Sequence, residues 1–469
     1  MNIAVESGES FTIESPVDGS IYARRSYARP AAIEAALTKA ESAQARWART
    51  PLEERVALLA RFNAEMTARA PQLAESLTWQ MGRPLWQADE TPRLKLVGEL
   101  AGQAAGEALA EAGYPADPGI SRFVRRVPLG VTLSICAWNY PVAMLGYLVS
   151  APLIAGNVVI FKHSPQTALI AEIAAEAFAA AGAPDGVFQA IHMTHSDCER
   201  LIGSGRLHAV NFIGSVAGGR RVHRAAGGSF THVHLELGGK DPAYIRPDVD
   251  LARAIPLLVE GCYSNAGQSC CSVERIYVHA DIHDRFVEAF AAEAATVTLD
   301  HPLSAKPYIG PVVRASAAAH IRGQIDEALA KGAKRVLAPG RSAARDLGPA
   351  YVEPELLAEV DHSMPLMREE TFGPVAAVQR VADDAEALRL MNDSSYALTA
   401  SVWTADEAEG QRLLDELEAG TVYLNRCDHA DLYLPWGGFK TSGLGRVNGR
   451  EGLLQATAAK AFHVRSRFV

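Results

Sequence analysis

The strongest constraint on the fold is an alternation of short apolar runs with helical segments between residues 129 and 213. The composition of a buried strand recurs four times, at Leu129–Cys136, Val158–Phe161, Val187–Ile191 and Ala209–Ile213, and an alanine-rich helix is predicted at Gln166–Ala181. Strand–helix–strand alternation is typical of a parallel, doubly wound sheet. A second α/β run begins near residue 241, with strands near 275–279 and 400–403 and helices near 284–295 and 316–331. We therefore expect an α/β protein built from closely packed units.

Composition narrows the class of protein. The 469 residues are 48% hydrophobic and 21% charged, which is ordinary for a globular chain of two or three domains. The formal net charge is −9, whereas a protein that binds nucleic acid usually carries an excess of positive charge, so we expect no nucleic-acid binding. Six cysteines are too unevenly spaced for a disulfide framework or a zinc cluster, so we expect free thiols, no metal site and a cytoplasmic location.

One apolar stretch is long enough to span a membrane. Cys136–Phe161 carries no charged residue, but Pro141, Pro152 and the Gly-Asn pair at 156–157 interrupt it and no basic flank adjoins it. A strand, a loop, a core helix and a second strand are the better interpretation. Residues 1–10 contain no basic region followed by an apolar core, so we expect no signal peptide.

The N-terminal region carries two local signals. Residues 11–24 alternate in polarity around an Asp-Gly turn at 18–19, which predicts a hairpin. The segment Thr50-Pro51-Leu52-Glu53 has the pattern of a capping box with proline at the first helical position, followed by an apolar helical stripe.

Four segments could carry chemistry, and each also has a structural interpretation. Cys270 lies in a small, polar, glycine-containing segment, which suits a nucleophile, although most free cysteines are buried structural thiols. Glu236, between two leucines, suits a general base, but a salt bridge to Lys240 is an alternative. Asn139, after a strand, suits an oxyanion donor or a turn cap. The glycines and serine at 214–219 suit either a pyrophosphate or a plain strand-to-helix turn.

The order of these segments resembles the aldehyde dehydrogenase superfamily from about residue 11 to residue 462. The motifs that carry the resemblance are Trp-Asn-Tyr-Pro at 138–141, Gly-Asn-Val-Val-Ile-Phe-Lys at 156–162, Phe-Ile-Gly-Ser at 212–215, Leu-Glu-Leu-Gly-Gly-Lys at 235–240, Asn-Ala-Gly-Gln-Ser-Cys at 265–270, Glu-Glu-Thr-Phe-Gly-Pro at 369–374 and Gly-Gly-Phe-Lys-Thr-Ser-Gly at 437–443. The resemblance implies a Rossmann-like cofactor domain, an α/β catalytic domain and a bridging β-hairpin. It places the cofactor domain at 1–107 and 127–238, the catalytic domain at 239–441, and the bridging segments at 108–126 and 457–469.

The resemblance also implies a mechanism. Cys270 is the nucleophile that attacks an aldehyde, Asn139 and the Cys270 backbone N–H hold the oxyanion, and Glu236 activates the water that hydrolyses the thioester. The cofactor is NAD or NADP, and the residues matched to its contacts are Trp138, Lys162, Ser164, Gly214, Ser215, Gly219, Glu370 and Phe372. The reaction implied is NAD(P)-dependent oxidation of a small-molecule aldehyde to the acid.

Alternatives remain open at this point. A CoA-acylating relative would generally lack the base at position 236, and a non-catalytic protein on the same scaffold would not need Asn139, Glu236 and Cys270. The resemblance further implies a homodimer or homotetramer in which the bridging hairpin near 108–126 pairs with the tail of a neighbouring subunit. No membrane or nucleic-acid partner is expected.

The substrate pocket is expected to include Tyr140, Tyr147, Ser269, Cys271, Trp436 and the loop 426–433, with Arg426. Semialdehyde-type relatives commonly carry arginine where this chain has Tyr147. The aromatic side chains favour aromatic or medium aliphatic aldehydes, while Arg426 and His429 leave a polar or acidic substrate open.

Two positions depart from the family pattern. Relatives often place a glutamate three residues after the lysine, whereas here Lys162 is followed by His-Ser-Pro. NAD therefore lacks a hydrogen bond from its adenosine ribose 2′-OH to that carboxylate. NADP, for the same reason, avoids repulsion between the carboxylate and its 2′-phosphate. We expect weak discrimination between the cofactors, with assistance to a phosphate from His163 or Ser164. Many hydrolytic relatives also carry a relay glutamate where this chain has Val447, so the proton of Glu236 must leave by another route.

Overall fold

The computed structural model describes residues 9–466, and its first part is a hairpin followed by four helices. These elements and the two strands after them are β1 (Ser10–Glu14), β2 (Ile21–Ser26), α1 (Pro30–Trp47), α2 (Leu52–Ala68), α3 (Ala70–Met81), α4 (Thr91–Ala108), β3 (Ala112–Tyr114) and β4 (Ile120–Pro128). Strands β1 and β2 pair antiparallel, which confirms the predicted hairpin. The expectation that residues 1–10 form no signal peptide falls mostly on residues 1–8, which lie outside the described part of the chain.

The capping box predicted at the start of α2 is wrong. Pro51 occupies the N-cap position without a side-chain capping bond. The hydroxyl of Thr50 instead donates to the carbonyl of Arg46 at 3.3 Å. The threonine therefore closes the end of α1 and does not open α2.

The first sheet contains the four strands predicted between residues 129 and 213. Its elements are β5 (Val131–Cys136), α5 (Pro141–Ala155), β6 (Val158–His163), α6 (Ala168–Ala180), β7 (Phe188–Ala190), α7 (His195–Gly203), β8 (Ala209–Ile213), α8 (Val216–Ala226) and β9 (His232–Glu236). The strands run parallel in the order β9-β8-β5-β6-β7. All residues of β5 and β6 are buried, as expected where helices cover both faces of a sheet.

The second sheet has seven strands, in the order β12-β13-β14-β11-β10-β16-β17, and only β12 runs antiparallel to its neighbour. The elements of this part are β10 (Asp241–Ile245), α9 (Leu251–Tyr263), β11 (Val273–His279), α10 (His283–Ala294), α11 (Ala315–Ala330), β12 (Lys334–Arg335), β13 (Glu355–Ala358), β14 (Val375–Val381), α12 (Asp384–Asn392), β15 (Tyr396–Ala397), β16 (Thr399–Trp403), α13 (Glu407–Asp415) and β17 (Thr421–Leu424). The chain passes from the first sheet to the second between Glu236 and Asp241.

The C-terminal segment returns to the first sheet. It contains β18 (Phe439–Lys440), β19 (Gly443–Leu444), α14 (Gly449–Gln455) and β20 (Thr457–Arg465). Strand β18 pairs with β15, and β19 pairs antiparallel with β9, opposite Glu236. This return brings residues far apart in sequence to the end of β9.

The tail pairs with its own chain, so the expected pairing with the tail of a neighbour is wrong. Strand β20 lies antiparallel to β4 in continuous register from Thr457 opposite Pro128 to Arg465 opposite Ile120. Phe123 and Phe462 stack at 4.6 Å across this pair. Strand β3 completes a three-stranded bridging sheet, β20-β4-β3. The last three residues of the tail lie outside the described part of the chain.

The charge-free stretch of residues 136–161 folds as the end of β5, helix α5 and most of β6. Within residues 9–466, no helix combines the length and the apolar character that crossing a membrane would require.

Candidate active site

The three residues expected to perform the chemistry line one cavity of about 370 Å³. Asn139 follows the carboxyl end of β5, Glu236 ends β9, and Cys270 lies between α9 and β11. In an open α/β sheet the carboxyl ends of parallel strands are the usual ligand-binding edge. The topology therefore places an amide, a carboxylate and a thiol around one space.

The segment before Cys270 has an unusual backbone. Asn265, Ala266 and Gly267 all have positive φ, at 52°, 57° and 68°. At Gly267 an added Cβ would overlap the carbonyl oxygen of Gly373, so only glycine fits. The side-chain amide of Asn265 donates to the carbonyls of Asn139, at 3.1 Å, and Gln268, at 3.2 Å. These bonds tie the nucleophile segment to the end of β5.

Cys270 is the only cysteine of the described chain that is partly exposed. The other five, including its neighbour Cys271, are buried. Since Cys270 also lines the cavity, the thiol is accessible to a small molecule. This environment favours a nucleophile over a structural thiol.

Asn139 does not cap the following helix. Helix α5 begins at Pro141 without a side-chain capping bond from Tyr140. The buried carboxylate of Glu90 accepts instead from the backbone N–H groups of Val142, at 2.9 Å, and Ala143, at 2.8 Å. The amide of Asn139 donates to the carbonyl of Gln268 at 3.2 Å, so this side chain points across to the nucleophile segment.

Glu236 is buried in the cavity wall with one oxygen bonded and one free. Its Oε1 lies 3.0 Å from Nε2 of His234, and its buried Oε2 has no hydrogen-bond partner. Burial raises the pKa of Glu236, and the hydrogen bond from His234 opposes that rise. Lys240 pairs with Glu274, so the predicted alternative of a salt bridge between Glu236 and Lys240 is wrong.

The residues matched to the cofactor fall into two groups. Those that line the cavity are Trp138, Gly214, Ser215, Glu370 and Phe372. Lys162, Ser164 and Gly219 do not belong to its wall. Gly219 meets a packing requirement, because an added Cβ would overlap the side chain of Leu237.

The backbone of the segment with Glu370 and Phe372 is fixed by hydrogen bonds to Glu274. The carboxylate of Glu274 accepts from the backbone N–H groups of Thr371 and Phe372, both at 2.9 Å. The ring of Phe372 meets that of Trp138 edge-on at 5.5 Å. Glu370 accepts from the N–H of Gly239 at 3.1 Å, and burial raises the pKa of Glu370 to about 8.

His163, at the end of β6, was expected to assist a phosphate of the cofactor, but its position does not allow this. The ring is buried, its Nδ1 lies 3.0 Å from the hydroxyl of Thr167, and burial lowers its pKa to about 3. Its other ring nitrogen, Nε2, lies 3.4 Å from the carbonyl oxygen of Pro141, so both nitrogens are engaged inside the core and the expectation that His163 assists a phosphate is wrong. Lys162 is also buried, and its ammonium donates to the carbonyl of His163 at 3.2 Å.

The far side of the cavity contains five of the six predicted pocket residues, which are Tyr140, Tyr147, Ser269, Cys271 and Trp436. Arg426 is not in the wall. Positive φ angles at Asn425 and Asp428, 56° and 44°, turn the loop so that Asp428 and His429 face the cavity, while Arg426 is exposed.

A model of the aldehyde dehydrogenase family matches residues 3–462. The chain belongs to the aldehyde dehydrogenase family. Succinate-semialdehyde dehydrogenase [NADP(+)] 1 of Mycobacterium ulcerans is 35% identical over 81% of this chain and 83% of its own length. A betaine aldehyde dehydrogenase of Cereibacter sphaeroides is 34% identical over 98% of this chain and 94% of its own length.

Solved aldehyde dehydrogenases share the whole architecture. The betaine aldehyde dehydrogenase of Staphylococcus aureus in complex with NAD+ has a TM-score of 0.94 at 27% identity, over 99% of this chain and 94% of its own. An indole-3-acetaldehyde dehydrogenase complexed with NAD+ has a TM-score of 0.95 at 29% identity, over 99% and 95%. The predicted family, enzyme class and α/β fold are confirmed.

Sequence reasoning missed Arg93 and His234 of this aldehyde dehydrogenase site, and it included Asp428 only as part of the loop 426–433, without a role. Arg93 of α4 donates through Nε to the hydroxyl of Tyr147 at 2.8 Å and through Nη2 to the carbonyl of Ala430. Asp428 accepts from Ser269, at 2.8 Å, and from the thiol of Cys271, at 3.0 Å. Burial raises the pKa of Asp428 to about 6. His234 had a usable signal, because the strand period of two places it on the same face as Glu236.

Proposed function

We propose that the protein oxidises an aldehyde to the carboxylic acid with NAD(P)+ through an acyl-enzyme on Cys270. The observation that carries the proposal is the common cavity of Cys270, Asn139 and Glu236. The thiolate of Cys270 forms a C–S bond to the carbonyl carbon. The amide of Asn139 and the backbone N–H of Cys270 stabilise the resulting oxyanion.

The remaining steps divide between the cofactor and Glu236. A bound nicotinamide would supply the oxidant, as acceptor for the hydride of the former aldehyde carbon. The product on Cys270 is a thioester, and Glu236 removes a proton from the water that attacks it. The C–S bond then breaks with its electron pair on sulfur, which releases the acid and restores the thiolate. A CoA-acylating reaction would have no use for this base, so Glu236 supports hydrolysis.

The cavity wall suits a nicotinamide dinucleotide. Glu370 is a partly exposed carboxyl group with a bond to one backbone N–H, which leaves acceptor capacity for ribose hydroxyls. Gly214 and Ser215 lie at the N-terminus of α8, where backbone N–H groups suit a pyrophosphate. The rings of Trp138 and Phe372 close the wall beside them.

Both NAD and NADP should serve as cofactor. No carboxylate follows Lys162 at the position of the family glutamate, and among the two residues expected to assist a phosphate only Ser164 remains. Comparison of kcat/KM for the two cofactors tests this point. A preference for NAD above about a thousandfold, or ~4 kcal/mol, would contradict weak discrimination.

The substrate is best described as an aromatic or medium aliphatic aldehyde. Tyr140, Tyr147 and Trp436 provide ring surface with polar tips. Arg93 adds a fixed positive charge beside Tyr147, which disfavours a trimethylammonium aldehyde of the kind named for the betaine aldehyde relatives. Two donors of Arg93 already bind Tyr147 and Ala430, so the guanidinium is part of the wall and is not a free partner for a short carboxylate.

A spectrophotometric panel tests the function and the substrate class together. The absorbance of the NAD(P)H formed is measured with benzaldehyde, hexanal, betaine aldehyde and succinic semialdehyde. We expect the first two to give the highest kcat/KM. Succinic semialdehyde above both would overturn the substrate class, and no turnover with any aldehyde would overturn the function.

A further inference from the structure

A buried histidine is bonded to the residue proposed as general base. His234 and Glu236 are two residues apart on β9, so both side chains leave the same face of the strand. Their side chains are only 7% and 5% exposed, and Nε2 of His234 lies 3.0 Å from Oε1 of Glu236. A carboxylate only accepts hydrogen bonds, so Nε2 of the imidazole carries the proton.

The elements packed around this pair leave His234 as the hydrogen-bond donor to Glu236. Among the described residues, the ionisable groups that act on Glu236 are His234 and Arg446. Arg446 follows β19, and its Nη1 donates to the carbonyls of Gly438, at 3.2 Å, and Gly445, at 2.6 Å. It therefore contributes charge without a bond to the carboxylate.

Val447, which also lines the cavity, offers no replacement for this donor. Its backbone pairs with Trp436 through two hydrogen bonds of 2.8 Å. An isopropyl group neither orients a carboxylate nor exchanges a proton. The hydrogen bond that holds Glu236 comes from its own strand.

We propose that His234 is a positioning residue for thioester hydrolysis: its Nε2–H anchors Oε1 of Glu236 and leaves Oε2 to take the proton of the attacking water. The inference rests on the proposed function. In the step concerned, an O–H bond of water breaks and its proton moves to Oε2. The hydroxide oxygen forms a bond to the acyl carbon, and the C–S bond to Cys270 breaks with its electron pair on sulfur. His234 does not line the cavity, so it acts through Glu236.

The anchor also stabilises the form of Glu236 that works as a base. Burial raises the pKa of this carboxyl group, and the donated hydrogen bond opposes the rise. Without His234 the pKa rises further. Because the base is active only above its pKa, the acid limb of the hydrolysis rate should move to higher pH.

The test uses His234→Leu, His234→Gln and the matched control His232→Leu. His232 lies on the same strand but is exposed, so this variant makes the same chemical change away from Glu236. Acyl-enzyme is formed with benzaldehyde and NAD+, quenched in acid at intervals and followed by intact-protein mass spectrometry across pH. The readout is the decay rate of the thioester, which is independent of the step that limits turnover.

We expect His234→Leu to form the acyl-enzyme at the wild-type rate and to hydrolyse it about tenfold more slowly at neutral pH, with the acid limb shifted upward by about one unit. His234→Gln should recover part of the loss, since its amide can donate to Oε1. His232→Leu should match the wild type.

Two results would overturn the inference: an unmoved acid limb in both His234 variants, or equal slowing of acylation and hydrolysis. If His234→Leu fails to fold, the pH profile of His234→Gln decides alone, and an unmoved limb there overturns the inference. Failure of the proposed function is distinct, because the wild type would then form no acyl-enzyme.

Discussion

At the scale of single residues, two adjacent cysteines have different environments. Cys270 is partly exposed in the cavity, whereas Cys271 is buried and donates to Asp428 at 3.0 Å. Cys270→Ala should abolish turnover and leave the melting temperature and NAD+ affinity nearly unchanged, because only the reacting sulfur is lost. Cys271→Ala should retain most activity. Steady-state rates, thermal denaturation and cofactor titration measure the three quantities. If Cys271→Ala abolished turnover and Cys270→Ala did not, Cys271 would be the nucleophile and our assignment would be wrong.

Arg93 is the residue whose charge should discriminate between substrates. Betaine aldehyde and 3,3-dimethylbutanal have nearly the same shape but differ in charge. The wild type should favour the neutral aldehyde, and Arg93→Met should shift the ratio of kcat/KM toward the cation by about fivefold to tenfold, on the order of 1 kcal/mol. Arg93→Lys, which keeps the charge, is the control. A ratio that moves equally in both variants would point to lost packing and contradict the charge argument.

Sequence reasoning found these residues unevenly. Cys270, Glu236 and Asn139 were predicted because each lies in a local motif. Arg93 was missed, and Asp428 was predicted only as part of the loop 426–433, because their roles depend on where α4 and this loop meet the cavity. Arg426 was misplaced for the same reason, since two positive φ angles decide which side chains of the loop face inward. Tertiary contacts of this kind have no period in the sequence.

At the scale of elements, the turn that carries Cys270 depends on one glycine. Gly267 has a φ of 68°, and a side chain there would overlap the carbonyl oxygen of Gly373. Gly267→Ala should lower the free energy of unfolding by roughly 1 kcal/mol for the backbone conformation, plus the cost of the displaced segment, and should remove activity.

Gly182→Ala is the matched control for that turn. Gly182 has a φ of 78°, but nothing lies within 4 Å of an added Cβ. The Gly182→Ala variant should lose only the stability that comes from the unfavourable backbone conformation, and it should remain active. Urea denaturation compares the two variants. Equal losses of stability would mean that the crowding at Gly373 has no consequence.

The elements themselves were predicted better than their partners. Buried apolar runs identified β5, β6, β7 and β8, and helices α5 and α6 were also predicted, because periodicity and burial are local signals. The pairing of β20 with β4 of the same chain was predicted wrongly. An alternating strand pattern specifies which face is buried, and it does not specify which chain supplies the neighbouring strand.

At the scale of the whole molecule, the bridging sheet is the proposed contact between subunits. It consists of β20, β4 and β3, and the residues of β3 are all exposed in the single chain. Light scattering in solution should give two or four times the 50.2 kDa of one chain. Deletion of the hairpin, residues 110–126, should lower that mass. A 50.2 kDa particle for the intact protein would contradict the proposed assembly.

The rate of the complete cycle should be limited by thioester hydrolysis. Val447 lines the cavity, and Glu451 of α14 is not part of that wall, so neither of these two positions receives the proton of Glu236. Hydride transfer needs no proton from Glu236, whereas hydrolysis needs the deprotonated base in every cycle. Rapid mixing should therefore give a burst of about one NAD(P)H per active site before the steady state. Glu236→Gln should keep the burst and lose the steady state, because the amide cannot act as a base. A wild type without a burst, with a deuterium isotope effect on kcat, would place the slow step at hydride transfer and contradict this prediction.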